Sequence, residues 1–170
     1  AIADSFGFSF YFNPDNDLHR ELSEIGSYYP VTLTDDNGKR LLTGTILTQK
    51  FKSQDTRQLV VVGGYSKTGV LGDSQIPTEL YPLETEGLSV VDISKRLCDY
   101  FGISVKDITD QARDASAGVV PDEWLRMNLP IEKTTAKETQ KIADYLSELA
   151  SQRDVVTTCD EYGQLVYDVT

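Results

Sequence analysis

The stretch with the most chemical promise runs from Leu59 to Pro77 and reads LVVVGGYSKTGVLGDSQIP. β-formers lead into glycines and then into Lys67-Thr68, which is how a phosphate-binding loop begins. Such a loop aims successive backbone N–H groups and a lysine at one anion. It needs glycine directly before the lysine and again six residues before it. Those places hold Ser66 and Val61. The loop should also open a helix, whereas Gly69, Gly72 and Pro77 are breakers. The segment therefore reads as a strand leaving a sheet into a turn.

The other reactive residue types are scattered. His19 is the single histidine, flanked by Asp17 and Glu21 in a polar, turn-rich stretch. A catalytic histidine needs a nucleophile and an orienting carboxylate close in space, and the sequence places neither beside His19 in space. The carboxylates cluster as Asp35-Asp36, Glu84/Glu86, Asp107/Asp110/Asp114 and Asp160-Glu161. Paired carboxylates hydrolyse glycosides when held at a fixed separation. With 27 acidic residues in the chain, chance pairs are expected, and turns and caps account for most of them. Calcium loops need alternating oxygen ligands, a glycine and a late glutamate, an order that Asp107 to Asp114 lacks. Cys98 and Cys159 are not spaced as C-x-x-C and read as buried reduced thiols rather than a zinc site or disulfide. No catalytic, cofactor-binding or metal-binding residue is assigned, and the chain is not expected to be an enzyme.

The elements that would hold these residues differ between the two halves. Up to about residue 80 the period is two. Phe6, Phe8, Phe10 and Phe12 give one strand a strongly apolar face. Asn13-Pro14-Asp15-Asn16 ends it, and Leu18 to Ile25 forms a short helical or irregular connection with Gly26 at its end. Val31 and Leu33 lead into Asp35-Asp36-Asn37-Gly38, where Asn-Gly signals a hairpin. The return strand runs from Arg40 to about Phe51. After a turn at Gln54-Asp55-Thr56, Leu59 to Val62 forms the next strand. Short strands joined by tight turns suggest a small antiparallel barrel or sandwich, and residues 1–83 are taken as a β-barrel domain.

From about Gly87 the period becomes helical. Ser89, answered by Asp92, caps a helix whose apolar side holds Val90, Ile93, Leu97, Tyr100 and Phe101, with Gly102 as its stop. Thr135-Ala136-Lys137-Glu138 reads as a second capping box. It would open a helix that buries Thr139, Ile142, Ala143, Leu146, Leu149 and Ala150. Val155 to Thr158 and Leu165 to Val169 are strands around Asp160-Glu161-Tyr162-Gly163. Gln111 to Pro130 crosses the surface, with Trp124 as packing anchor. Residues 84–170 are thus an α+β domain, and the whole chain is α+β.

Composition bounds the partners. The formal charge of −11 and a sequence pI near 4.4 argue against a nucleic-acid-gripping surface, whose affinity comes from Lys and Arg on phosphates. An apolar share of 39% suits a globular core. No apolar run approaches the roughly 18 residues of a membrane span. Ala1-Ile2-Ala3-Asp4 shows no secretion-signal pattern, so cytoplasmic synthesis is expected. With no initiating methionine, the chain is read as a processed or excised piece of a longer protein.

Taken in order, several short motifs resemble a known family. Leu42-Thr43-Gly44-Thr45-Ile46 is similar to its L-T-G-x-I strand. Gly64-Tyr65-Ser66-Lys67-Thr68 with Leu71-Gly72-Asp73-Ser74 is similar to its G-x-S-x-T-x-x-L-x-D turn. Leu88-Ser89-Val90-Val91-Asp92-Ile93 opens its helix, and Tyr100-Phe101-Gly102-Ile103-Ser104-Val105 resembles its F-G-I-x-V exit. Thr139 to Leu149, followed by Asp160-Glu161-Tyr162-Gly163-Gln164-Leu165-Val166-Tyr167, resembles its helix and D-x-x-G-x-L-x-Y hairpin. The chain is similar, over nearly its full length, to baseplate hub proteins of contractile phage tails. These are the Mu-like and T4-like tail proteins, related to the hub part of type VI secretion spikes.

The resemblance implies a structural role in the virion tail, assembled in the bacterial host cytoplasm. Family hubs are trimers whose subunits each carry two barrels, a ring that joins a sixfold tail tube to a threefold spike. The implied partners are copies of itself, tube proteins and spike proteins, with no specific nucleic acid, membrane span or cofactor. An acidic channel wall would not retain passing DNA. Gly64 to Ser74 would be a structural turn, with Leu71 in the core, Asp73 bonding loop amides and Lys67 solvated. Only one barrel is legible, so the chain alone is expected to be monomeric or weakly associated. Two other readings stay open: a tail-associated cell-wall hydrolase using Glu84, Glu86, Asp107 or Asp110, and a small adaptor or receptor-binding module.

Overall fold

The computed structural model describes residues 2–80, 84–106, 125–137 and 139–169. Its first half is built on the phenylalanine alternation. In strand β1 (Ser5–Tyr11) every second residue is half-buried. The Phe6, Phe8 and Phe10 rings stack along the strand at centroid spacings of 6.3 Å. Asn13 and Asn16 shape the following turn, and Asn16 then caps helix α1 (Asp17–Ser23) by accepting from the His19 N–H. Strands β2 (Pro30–Thr34), β3 (Arg40–Gln54) and β4 (Arg57–Ser66) complete an antiparallel sheet in the order β1-β4-β3-β2. The Asn37-Gly38 signal holds: Gly38 takes φ +82°, and Asp35 Oδ1 accepts from the Asn37 and Lys39 amides.

Two expectations change here. The β3–β4 hairpin is longer than the alternation suggested, running through Gln54 and back to Ser66. Among the described strands, moreover, no pairing closes a barrel. The sheet is open, with β1 and β2 as its edges. Its apolar face is covered by Leu22 of α1 together with Tyr29, and Phe6, Phe8, Phe10, Phe12 and Val31 close over the fully buried Ile46, Val60 and Val62. Burying each of those three side chains stabilises the lobe by about 1.5–3 kcal/mol.

Beyond β4 the chain makes one 3-10 turn (Lys67–Gly69) and one turn of helix, α2 (Val70–Asp73). A two-stranded pair follows, β5 (Glu84–Thr85) with β6 (Thr134–Thr135). Helix α3 (Val90–Tyr100) carries the predicted capping box between Ser89 and Asp92 and stops before Gly102 at φ +66°. Its buried stripe is Val90, Val91, Ile93, Ser94, Leu97 and Cys98. Tyr100 departs from the expected stripe. It is 48% exposed, because the last turn of α3 runs past the end of the core, and its ring meets Phe101 edge-on at 5.1 Å.

Helix α4 (Ile142–Ser151) buries Ile142, Ala143, Leu146, Leu149 and Ala150 as predicted, together with Tyr145. The capping box at Thr135 is not used, and Thr139 is exposed. Thr134 and Thr135 pair with Thr85 and Glu84 instead, an extended state that suits β-branched residues. The helix begins seven residues later, at Ile142, after Lys141 as an N-cap that offers no side-chain bond. The Ile142 N–H donates to Ser74 O at 3.0 Å, so a tertiary carbonyl satisfies one of the helix's orphan donors.

Strands β7 (Val155–Cys159) and β8 (Leu165–Val169) form the expected hairpin around Gly163 at φ +74°. Ser104 O and the Lys106 N–H bond both sides of Leu165. Trp124, the Asp107/Asp110/Asp114 group and most of Gln111–Pro130 lie outside the described residues. Of that last stretch, Met127 is fully buried while Leu125 and Leu129 are exposed.

The second core gathers α3, α4, β7 and β8 around Leu97, Ile103, Met127, Leu146, Leu165 and Tyr167. Leu71 and Ile76 belong to it as well. The segment that leaves the sheet therefore inserts into the α+β half before residues 81–83, which are not described.

Candidate functional site

The Lys67 segment is a junction. Ser66, at the end of β4, receives the chain start twice: its N–H donates to Asp4 O at 2.7 Å, and its Oγ accepts from the Asp4 N–H at 3.0 Å. Thr68 Oγ1 donates to Ile2 O at 2.6 Å and lies 3.3 Å from Ser66 Oγ. Cys159 Sγ, from the other half, lies 3.3 Å from Ser66 Oγ and 3.6 Å from Asp4 Oδ2. Lys67 is exposed to solvent as expected, and it also makes a bond that was not expected. Although exposed, it donates through Nζ to Gly102 O at 2.8 Å, the C-terminal end of α3, where a cation is favoured. Thr43 Oγ1 adds a bond to Glu161 O in the β7–β8 turn. These contacts tie the sheet to the α+β half.

The glycines have their own reasons. A Cβ on Gly64 would strike the Thr45 carbonyl and come within 2.8 Å of the Phe6 ring. One on Gly69 would enter the Tyr65 ring. Tyr65 in turn bonds the Asp73 carboxylate, so Asp73 holds a hydroxyl where loop amides were expected. Burial, then that bond, pushes the Tyr65 pKa up to about 12. Leu71 is fully buried, as the turn reading required.

The remaining candidates are dispersed. His19 is half-buried against Phe10, with ring centroids 4.5 Å apart, and its Nδ1 accepts from the Asn13 N–H. Asp17 pairs with Arg20. Asp160 Oδ1 accepts from the Tyr162 and Gln164 amides, a turn role like that of Asp35. Cys98 is fully buried, and burial raises its thiol pKa to about 12. Cys159 is only half-buried, contrary to expectation, because β7 reaches the junction with its last residue. Among the described residues no three His, Cys, Asp or Glu converge on a possible metal position, and no helix is long and apolar enough to cross a membrane.

What the surface does offer is contact area. A cavity of about 340 Å3 opens between β1 and β2 beneath α1, lined by Phe8, Leu18, Leu22, Tyr29, Val31 and Leu33. A second, of about 400 Å3, lies at the junction between Tyr28, Leu47, Tyr65, Val70 and Phe101, with Lys67 at its wall. Leu18, Ile25, Tyr28 and Leu41 are all more than half exposed. Alternation and turn signals could not reveal this, because exposure depends on which elements end up covered.

No known protein family and no curated protein matches the sequence. Solved structures do match. The 43 kDa tail protein of prophage MuSo2 from Shewanella oneidensis is 20% identical with a TM-score of 0.66, over 98% of this chain and 46% of that one. The tail protein from Neisseria meningitidis MC58 is 19% identical with a TM-score of 0.66, over 97% of this chain and 41% of that one. The chain has the fold of the matching part of these two tail proteins over nearly its whole length, and it spans less than half of theirs.

Proposed function

We propose that the chain is a structural part of a phage or prophage tail, belonging to the baseplate hub where the tail tube meets the central spike. The observation that carries this is the end-to-end fold match to two tail proteins. It is supported by the order of hub-like motifs from Leu42 to Tyr167. In this reading the sheet half is one stave-like unit of a threefold ring, and the barrel is completed in the assembled particle. The work is done by geometry, without a reactive centre. The −11 charge keeps DNA from adhering to the channel wall.

The test is immunogold labelling of tail particles with an antibody raised against the chain. Label at the tube–spike junction is expected. Label along the tube, on fibres, or absent from intact particles would remove the hub assignment. A peptidoglycan zymogram of the same protein is expected to stay blank, and a clearing zone would favour the hydrolase.

A further inference from the structure

The outer half of β3 has a free edge. β2 pairs with β3 from Arg40 to Thr45, and Tyr29 O takes the Ile46 N–H. From Leu47 to Gln54, β3 pairs with β4 on one side and with no strand among the described residues on the other. Every second residue of a strand turns its N–H and C=O to the same edge, so this stretch offers a row of open backbone groups to an incoming strand. Gln49 Nε2 is buried there without a partner, and Phe51 is 40% exposed. Among the described residues β1 pairs only with β4, which leaves its other edge without a strand too.

Charge selects between possible occupants. The arm carries Lys50, Lys52 and Arg57 against Asp55, a net +2 in a chain of −11. Two arms laid edge to edge would set lysines opposite lysines, which is destabilising. β1 brings no such clash: Ser5 to Tyr11 carries no charged residue, and the residue before it is Asp4. Its seven strand residues fit within the eight of the open edge.

We propose that β1 of a second copy adds to the Leu47–Gln54 edge, so that each sheet continues head to tail into the next. A contact between two different edges is heterologous and closes into a ring when its rotation allows. The inference rests on the ring reading above and assigns the strands that would make it.

The test is amide hydrogen exchange of the wild-type chain at about 10 μM and about 1 mM, since association follows mass action. Exchange at both 47–54 and 5–11 is expected to slow about tenfold or more at the higher concentration. A Lys50→Glu/Lys52→Glu variant, checked by circular dichroism for its fold, is expected to lose that change. Sedimentation velocity runs alongside. Association with protection elsewhere overturns the edge assignment and leaves the ring reading standing. No association at either concentration also overturns the edge assignment, and the hub reading is then decided by the particle labelling.

Discussion

At Gly64 the backbone of β4 passes so close to Phe6 and to the Thr45 carbonyl that no side chain fits. Replacing a strand glycine with alanine ordinarily gains about 0.5–1 kcal/mol. Overpacking here costs about 1–3 kcal/mol, so the clash outweighs the propensity. Gly64→Ala is expected to lower the urea midpoint, and an unchanged midpoint would mean that β4 shifts freely. The two cysteines separate on similar grounds. Cys98 is fully buried with its pKa pushed up to about 12, and the thiolate is the reactive form. A short iodoacetamide pulse at pH 8, read by mass spectrometry, is expected to label Cys159 alone. Cys98 should react only after urea is added.

Helices α3 and α4 begin in opposite ways, and element stability should follow. α3 has a reciprocal capping box, in which the Asp92 N–H donates to Ser89 Oγ and Asp92 Oδ2 accepts from the Ser89 N–H at 3.2 Å. Ser89→Ala is expected to cost about 1 kcal/mol in equilibrium unfolding. α4 has Lys141 at its N-cap, exposed and offering no side-chain bond, which puts a cation at the positive end of the helix dipole. Lys141→Asp is therefore expected to raise stability, by up to about 1 kcal/mol. A loss instead would show that the Gln75–Lys141 bridge depends on the lysine.

Across the whole molecule, several buried or bonded acids titrate together at alkaline pH. Burial and the Asp73 bond raise Tyr65 from 10.0 to about 12, burial raises Cys98 from 9.0 to about 12, and burial raises Tyr167 further still. Each folded-state pKa lies above its unfolded value, so the unfolded chain gives up its protons first. This stabilisation is complete below pH 9 and is lost as pH rises towards 12. The urea midpoint is expected to hold between pH 7 and 8.5 and to fall steadily from pH 9 to 11. Tyr65 contributes less than the two deeply buried groups, because solvent screens it. A flat profile through pH 11 would show that these groups stay solvated.

The local order of this protein is written in neighbouring residues. The Phe6–Phe12 alternation, Asn37-Gly38, the Ser89–Asp92 box and Gly102 each act within four or six positions, so strands, turns and α3 were legible from spacing alone. The failure of the phosphate-loop pattern at Ser66 and Val61 was legible in the same way. Other outcomes depended on partners far away in the chain. Thr135 became strand because Glu84 lay beside it, and Lys67 was drawn to a carbonyl 35 residues away. Cys159 met Ser66 across 93 positions. The open edges of β1 and β3 were equally hidden, because whether a strand is covered depends on the arrangement of the whole sheet. Periodicity reports which face of an element is apolar, and only tertiary packing decides what comes to lie against it.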